Sequence, residues 1–158
     1  MHSQSNDNQP FKVGVFAASS LMNDPGYKED AEYVGSALAK LNHTIIYGGG
    51  SRGLMGVVTK AALDLGGNIK GFMMECFNQA KHYPQKDFEY LCLTIAERKQ
   101  KMLLESDAYI ALGGGFGTLD EILEAGIEQY MGGYMNPPTK LKPIILINRN
   151  ELYSPLLD

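Results

Sequence analysis

The sequence reads as a doubly wound, Rossmann-like α/β domain with a mostly parallel sheet and helices on both faces. Three features of the chain point that way. Short apolar runs alternate with longer stretches whose apolar residues recur at helical spacing. The runs are apolar at nearly every position, as in strands covered on both sides, instead of alternating as in a sheet with one wet face. Glycine-rich loops close two of these runs and lead straight into helical patterns.

Residues 1–11 are polar and lack the apolar segment of a signal peptide or membrane anchor, so a disordered tail is expected before a single domain over 12–158. Val13 to Ala18 reads as the first strand, ended by Ser19 and Ser20, and Asn23-Asp24-Pro25-Gly26 has turn chemistry. Ala31, Val34, Ala37, Leu38 and Leu41 mark one face of a helix over 27–41. Thr44–Tyr47 reads as the second strand, Gly48–Gly53 as a loop, and Leu54–Leu65 as a second helix stopped by Gly66-Gly67. Asn68–Met73 reads as a third strand, Asn78–Asp87 as a surface loop, Glu89–Leu93 as a fourth strand and Ala96–Leu104 as a helix. Pro143–Ile147 is the last strand.

The most informative stretch follows the apolar run Ala108–Leu112. Gly113-Gly114-Gly115-Phe116-Gly117-Thr118 precedes Ile122, Leu123, Ala125 and Ile127, which share a helical face. Strand, glycine loop and helix start make an anion site, because N–H groups approach a phosphate unobstructed at the positive end of the helix. Thr118 has the residue type to cap that helix and to offer a hydroxyl to the ligand, and Glu121 then completes a capping box.

The 158 residues suffice for one domain with a real core, and 44% hydrophobic with 20% charged residues excludes a disordered chain. A net charge of −4 and a pI near 5.4 argue against a protein that coats nucleic acid. No stretch approaches the ~20 apolar residues of a membrane helix. Cys76 and Cys92 form no C-x-x-C pair, and His2, His43 and His82 are scattered, so no metal site is expected. Reduced, largely buried thiols in a cytoplasmic protein are the expectation.

Gly48, Gly50 and Gly53 match G-x-G-x-x-G between a strand and a helix, and Glu75 stands about where a ribose-binding acid would. The second loop at 113–117 is more than a dinucleotide site requires. Both loops follow strands, as do Ser19 and Ser20, so all three turns should face one crevice. With Gly49 and Gly50, they suit a nucleotide monophosphate or sugar phosphate. Glu97-Arg98-Lys99-Gln100-Lys101-Met102 supplies positive charge, either as a solvated helix face or as phosphate ligands. Arg98 stands out because a guanidinium grips phosphate or carboxylate with two donors.

Tyr47 to Gly56, Glu97-Arg98-Lys99 with Met102, and Gly114 to Glu121 together resemble the LOG ("lonely guy") family, the cytokinin-activating phosphoribohydrolases long labelled lysine decarboxylases. The resemblance runs from about Lys12 to the end of the chain. It implies hydrolysis of the N-glycosidic bond of an N6-substituted adenosine 5′-monophosphate and a homodimer; the chemistry requires no metal and no redox cofactor. It also implies Arg98 and Glu121 at the catalytic positions. Ser19, Ser20, Gly49, Gly50, Lys99, Gly114, Gly115, Phe116, Gly117 and Thr118 join Arg98 as the expected substrate-binding set.

Some positions depart from the family pattern. Gly113 stands where the motif usually opens with proline, and should loosen the turn. Ala96 replaces a polar residue, Ile127 a threonine, and the connection over 131–142 is longer. The family's final helix is expected to be absent after Tyr153–Asp158, which should expose apolar surface.

Glycosidic cleavage passes through an oxocarbenium-like ribosyl cation, which an ionised carboxylate beneath C1′ stabilises. Glu121 is expected to be that carboxylate, its pKa held low by the helix N-terminus. Arg98 would hold the nucleotide or steady the departing base, and Lys99 would add phosphate affinity. Two other readings stand beside the hydrolase. One is a non-catalytic nucleotide or molybdenum-cofactor carrier, a class that shares this fold and its glycine loops. The other, an NAD-dependent oxidoreductase using the Gly48–Gly53 loop, lacks an obvious proton donor.

Overall fold

Residues 9–77 and 89–157 are described by a computed structural model. Six strands and four helices alternate along them: β1 (Lys12–Phe16), α1 (Gly26–Lys40), β2 (Thr44–Tyr47), α2 (Gly53–Leu63), β3 (Asn68–Met74), β4 (Glu89–Cys92), α3 (Ile95–Glu105), β5 (Ala108–Ala111), α4 (Phe116–Gly132) and β6 (Ile144–Leu146). Short 3-10 turns cover Glu75–Phe77, Arg149–Glu151 and Ser154–Leu156. The expected surface loop at 78–87 lies outside the described residues, as does the expected tail up to residue 8. Phe11, the last residue assigned to that tail, is already tied in. Its N–H donates to His43 Nδ1 at 3.1 Å and its carbonyl accepts from Thr44 N–H at 2.8 Å.

The strands form one sheet in the order β4-β3-β2-β1-β5-β6, and every neighbouring pair is parallel. The order reverses between β1 and β5, which opens a crevice at their carboxyl ends. The period-2 alternation of strands splits the core in two. Val13, Val15, Ile45, Tyr47 and Ile69 pack against Ala31, Val34 and Leu38 of α1 and Leu54, Val58 and Ala62 of α2. Phe16, Ile46, Phe72, Tyr109 and Ala111 face the other way, onto Met102 and Leu103 of α3 and Ile122 and Ala125 of α4. Ile45 and Ile46, adjacent in sequence, are fully buried on opposite faces, each contributing about 1.5–3 kcal/mol. The continuous apolar runs are thus explained by helices on both sides of the sheet. Cys92 is buried in the second core, but Cys76 is exposed, against expectation, because the turn that carries it lies past the covered part of β3.

The last turns are pinned back on the sheet. Arg149 donates from Nε and Nη2 to the two carboxylate oxygens of Asp30 on α1, at 2.6 and 2.7 Å. The buried Tyr153 hydroxyl donates to the Leu112 carbonyl, where β5 runs into the glycine loop. Helix α4 absorbs the start of the expected long connection, and the rest is anchored by Gln129 Oε1, which accepts from Lys142 N–H at 2.7 Å.

Candidate active site

A cleft of about 630 Å³ opens at the carboxyl ends of β1, β2 and β5. The three turns expected to meet do meet there: Ser19 and Ser20 after β1, Gly48 to Arg52 after β2, and Gly115 to Thr118 after β5 line it together. Arg98 from α3 and Glu121 from α4 complete the polar lining. Val15, Met55, Met73, Phe77, Ile95 and Phe116 supply apolar walls. Glu75 is not among the lining residues, so the residue expected as the ribose acid of a dinucleotide site does not reach this cleft.

The β1 and β2 turns are fastened to each other. Gly53 has φ +61, and a Cβ on it would come within 2.2 Å of the Ser19 backbone, so only glycine allows the approach. The first N–H groups of α2 are consumed by this contact: Leu54 N–H donates to the Ser20 carbonyl at 3.1 Å, and Met55 N–H to the Ala18 carbonyl at 3.2 Å. Much of the N-terminus of α2 is therefore spent on the protein. The N-terminus of α4 is the open one. Its cap is Gly115, without a side-chain cap, and among the described residues no hydrogen bond occupies the N–H groups of Phe116, Gly117 and Thr118.

Thr118 is accordingly not the cap. The helix starts two residues earlier, at Phe116, and Thr118 lies in its first turn, 4% exposed, packed on Gly114. The capping box expected at Thr118 and Glu121 does not form. A capping-box arrangement does occur on α3, where the Thr94 hydroxyl accepts from Glu97 N–H at 3.1 Å and the Glu97 carboxylate accepts from Leu93 N–H at 2.8 Å. That cap presents the next residue, Arg98, to the cleft.

Released from capping, Glu121 pairs with Arg98. Arg98 Nη2 donates to Glu121 Oε1 at 3.0 Å, and Nη1 donates to the Gly48 carbonyl at 3.4 Å, joining three elements across the crevice. The Arg98 Nε is buried and, among the described residues, has no hydrogen-bond partner. Glu121 is 8% exposed. Burial pushes its carboxyl from the ordinary 4.5 up to about 7, with Arg98 opposing and Asp120 assisting the rise. The expectation of a low pKa is overturned because a helix terminus is worth only about 0.3–1 kcal/mol, less than desolvation of a buried carboxylate.

Two members of the expected binding set lie elsewhere. Lys99 does not line the cleft. Its ammonium pairs with Asp120 at 2.9 Å and with Glu124, clamping α3 to α4. Those carboxylates hold its pKa up. Gly114 lies behind the loop against Thr118. Gly113 does not loosen the turn either. The Tyr27 ring occupies the space beside it, 2.5 Å from where a Cβ would stand. Reasoning from sequence did not single out Met55, Met73, Phe77 and Ile95 as lining residues. Their only signal was position at or just past a strand end, or in the first turn of a helix. Arg52, inside the quoted glycine motif, was also passed over.

Comparisons with known proteins agree with this geometry. The profile of a family described as "possible lysine decarboxylase" matches residues 55–158. A cytokinin riboside 5′-monophosphate phosphoribohydrolase of Rhodococcoides fascians is 35% identical over 152 residues, 94% of this chain and 73% of that protein. One from Arabidopsis thaliana is 33% identical over 148 residues, 93% of this chain and 67% of that protein. Among solved structures, the molybdenum cofactor binding protein of Rippkaea orientalis superposes with a TM-score of 0.75 at 24% identity, covering 94% of this chain and 83% of that one. The molybdenum cofactor carrier protein of Chlamydomonas reinhardtii gives 0.69 at 21% identity, over 87% and 76%. At those identities the two structures speak for the fold.

Proposed function

The chain belongs to the family described as possible lysine decarboxylases, and from that premise we propose that it is a nucleoside 5′-monophosphate phosphoribohydrolase. It hydrolyses the N-glycosidic bond of adenosine 5′-monophosphate or its N6-modified forms, giving free base and ribose 5-phosphate. The observation that carries the reading is the Arg98–Glu121 pair, buried in a cleft beside an open helix N-terminus. The N–H groups of Phe116, Gly117 and Thr118 suit the 5′-phosphate, and the apolar walls suit the base.

In this mechanism the C1′–N bond breaks with its electron pair leaving on the base, and positive charge develops on the ribose. The Glu121 carboxylate faces that charge. With a pKa near 7 it is also a competent base, taking a proton from the water whose oxygen bonds C1′. That same proton, passed on from Glu121 through water, completes the departing base and returns the carboxylate to its ionised form. Arg98 holds Glu121 in place and offers its free Nε to the substrate. Decarboxylation of lysine fits the site poorly: among the described residues the cleft presents no lysine amine on which a pyridoxal phosphate could be held.

The same reading includes a single nucleotide-binding domain from residue 12 onward, cytoplasmic residence and a homodimer. Free Cys76 and Cys92 support a reducing compartment. Supporting a dimer is an apolar groove along α4 and the last turn, lined by Ile122, Leu123, Ile127, Tyr130, Leu156 and Leu157. No helix among the described residues is long and apolar enough to cross a membrane. A carrier without catalysis would have little use for a buried carboxylate facing the ligand. The deciding experiment is a panel of adenosine 5′-monophosphate, N6-modified analogues, their nucleosides and NAD, with free base and ribose 5-phosphate quantified. Hydrolysis of the monophosphates with little of the nucleosides is expected. Equal rates on nucleosides, or binding of NAD far tighter than of the monophosphates, would refute it.

A further inference from the structure

Among the described residues, the cleft holds too little uncommitted positive charge for its proposed occupant unless one more residue takes part. A phosphomonoester carries about −1.5 to −2 at pH 7. Of the cations expected to meet it, Arg98 is engaged with Glu121, and Lys99 with Asp120 and Glu124 outside the cleft. Among the described residues, Arg52 is the remaining cation in the lining, and its side chain has no hydrogen bond or ion pair there. It occupies the N-cap position of α2 in extended conformation, φ −101 and ψ 155. The next residue, Gly53, is the one pressed against Ser19 and Ser20. Since Leu54 and Met55 have already given their N–H groups to Ser20 and Ala18, the Arg52 guanidinium is the charged group that this end of α2 can still offer an anion.

We propose that Arg52 is the phosphate-recognition residue of the cleft. Its guanidinium and the Ser19 and Ser20 turn hold the phosphate from one side while the α4 N-terminus takes the remaining oxygens. This division leaves Arg98 and Glu121 for the ribose and the base. The inference rests on the phosphoribohydrolase reading and adds a determinant of selectivity for nucleotides over nucleosides. A guanidinium suits the task because it presents two parallel donors to phosphate and stays charged at every relevant pH.

The test compares wild type with Arg52→Gln and Arg52→Lys. Loss of one charge-assisted contact predicts a KM for adenosine 5′-monophosphate raised about 10- to 100-fold in Arg52→Gln, with kcat within about threefold. Adenosine should be used equally by both, and Arg52→Lys should recover part of the loss. Because Arg52 is exposed, both variants should melt like the parent. Titration with ribose 5-phosphate gives a readout independent of turnover, and Arg52→Gln should bind it more weakly by a similar factor. An unchanged preference for monophosphate over nucleoside, or undiminished ribose 5-phosphate binding, overturns the proposal while leaving the enzyme reading intact. If wild type hydrolyses no nucleotide, that reading fails separately. The ribose 5-phosphate titration then decides Arg52: weaker binding in Arg52→Gln supports its role, and equal binding overturns it.

Discussion

Glu121→Gln should stabilise the protein while inactivating it, and the stabilisation should grow with pH. The unfolded carboxyl ionises near 4.5 and the folded one near 7. Below pH 4.5 both states hold the proton and burial carries no ionic cost. As pH rises from 4.5 towards 7 the unfolded state sheds its proton first, so stability is lost through that window. Above 7 the full penalty applies, a rise of roughly two and a half pH units at 1.36 kcal/mol each, or about 3 kcal/mol. Glutamine keeps the shape, leaves Arg98 an oxygen acceptor and has no proton to lose. Melting temperatures of parent and variant should therefore differ least near pH 5 and separate by up to roughly 6–12 °C at pH 8. Circular dichroism melts from pH 5 to 8.5 measure this directly. A variant that melts lower than the parent at pH 8 would show that the attraction to Arg98 outweighs burial, and the argument would fail. Hydrolysis should fall by about 10²–10³ in the same variant. A well-folded Glu121→Gln protein with parental turnover would remove Glu121 from the mechanism.

Other expectations can be checked alongside. The wild-type kcat/KM should rise with pH through about 7 as Glu121 ionises, and a profile flat from pH 5.5 to 8.5 would contradict the assignment. Arg98→Ala should weaken nucleotide binding and abolish most turnover. It should also move any residual pH profile upward, because Arg98 holds the Glu121 pKa down; an unshifted profile would uncouple the pair. Gly113→Ala should cost about 1–3 kcal/mol, since its Cβ would sit 2.5 Å from the Tyr27 ring, and Tyr27→Leu should relieve much of that cost. Tyr153→Phe removes the donor to the Leu112 carbonyl and should cost about 1–2 kcal/mol in urea unfolding.

The sheet could be read from the chain because burial on both faces writes itself into consecutive residues such as Ile45 and Ile46. The meeting of three turns could be read because strand ends of a parallel sheet share one edge. What failed were inferences made over three or four residues and decided elsewhere. Thr118 has a capping side chain, but the glycines before it let the helix begin at Phe116. Glu121 was assigned a charge from its nearest helix end, while its pKa is set by the wall of side chains around it. Lys99 and Arg98 are neighbours with opposite fates because α4, some twenty residues further on, presents Asp120 and Glu124 to one and Glu121 to the other. Gly113 looked loose because Tyr27, which fills the gap, is 86 positions away.

The reversal of strand order beside β1 also sets the timetable of synthesis. Lys12 N–H donates to the Asp107 carboxylate across 95 positions of sequence, so β1 waits for one of its two neighbours until β5 has left the ribosome. Strands β1 to β4 with α1 and α2 can assemble early, since each successive strand extends the sheet on the same side. Such an assembly leaves Phe16, Ile46 and Phe72 without the helices that cover them. During that interval the nascent chain is most exposed to aggregation. It already carries Ser19, Ser20 and Arg52 but not yet Glu121: half a cleft, able to meet a phosphate and unable to act on it.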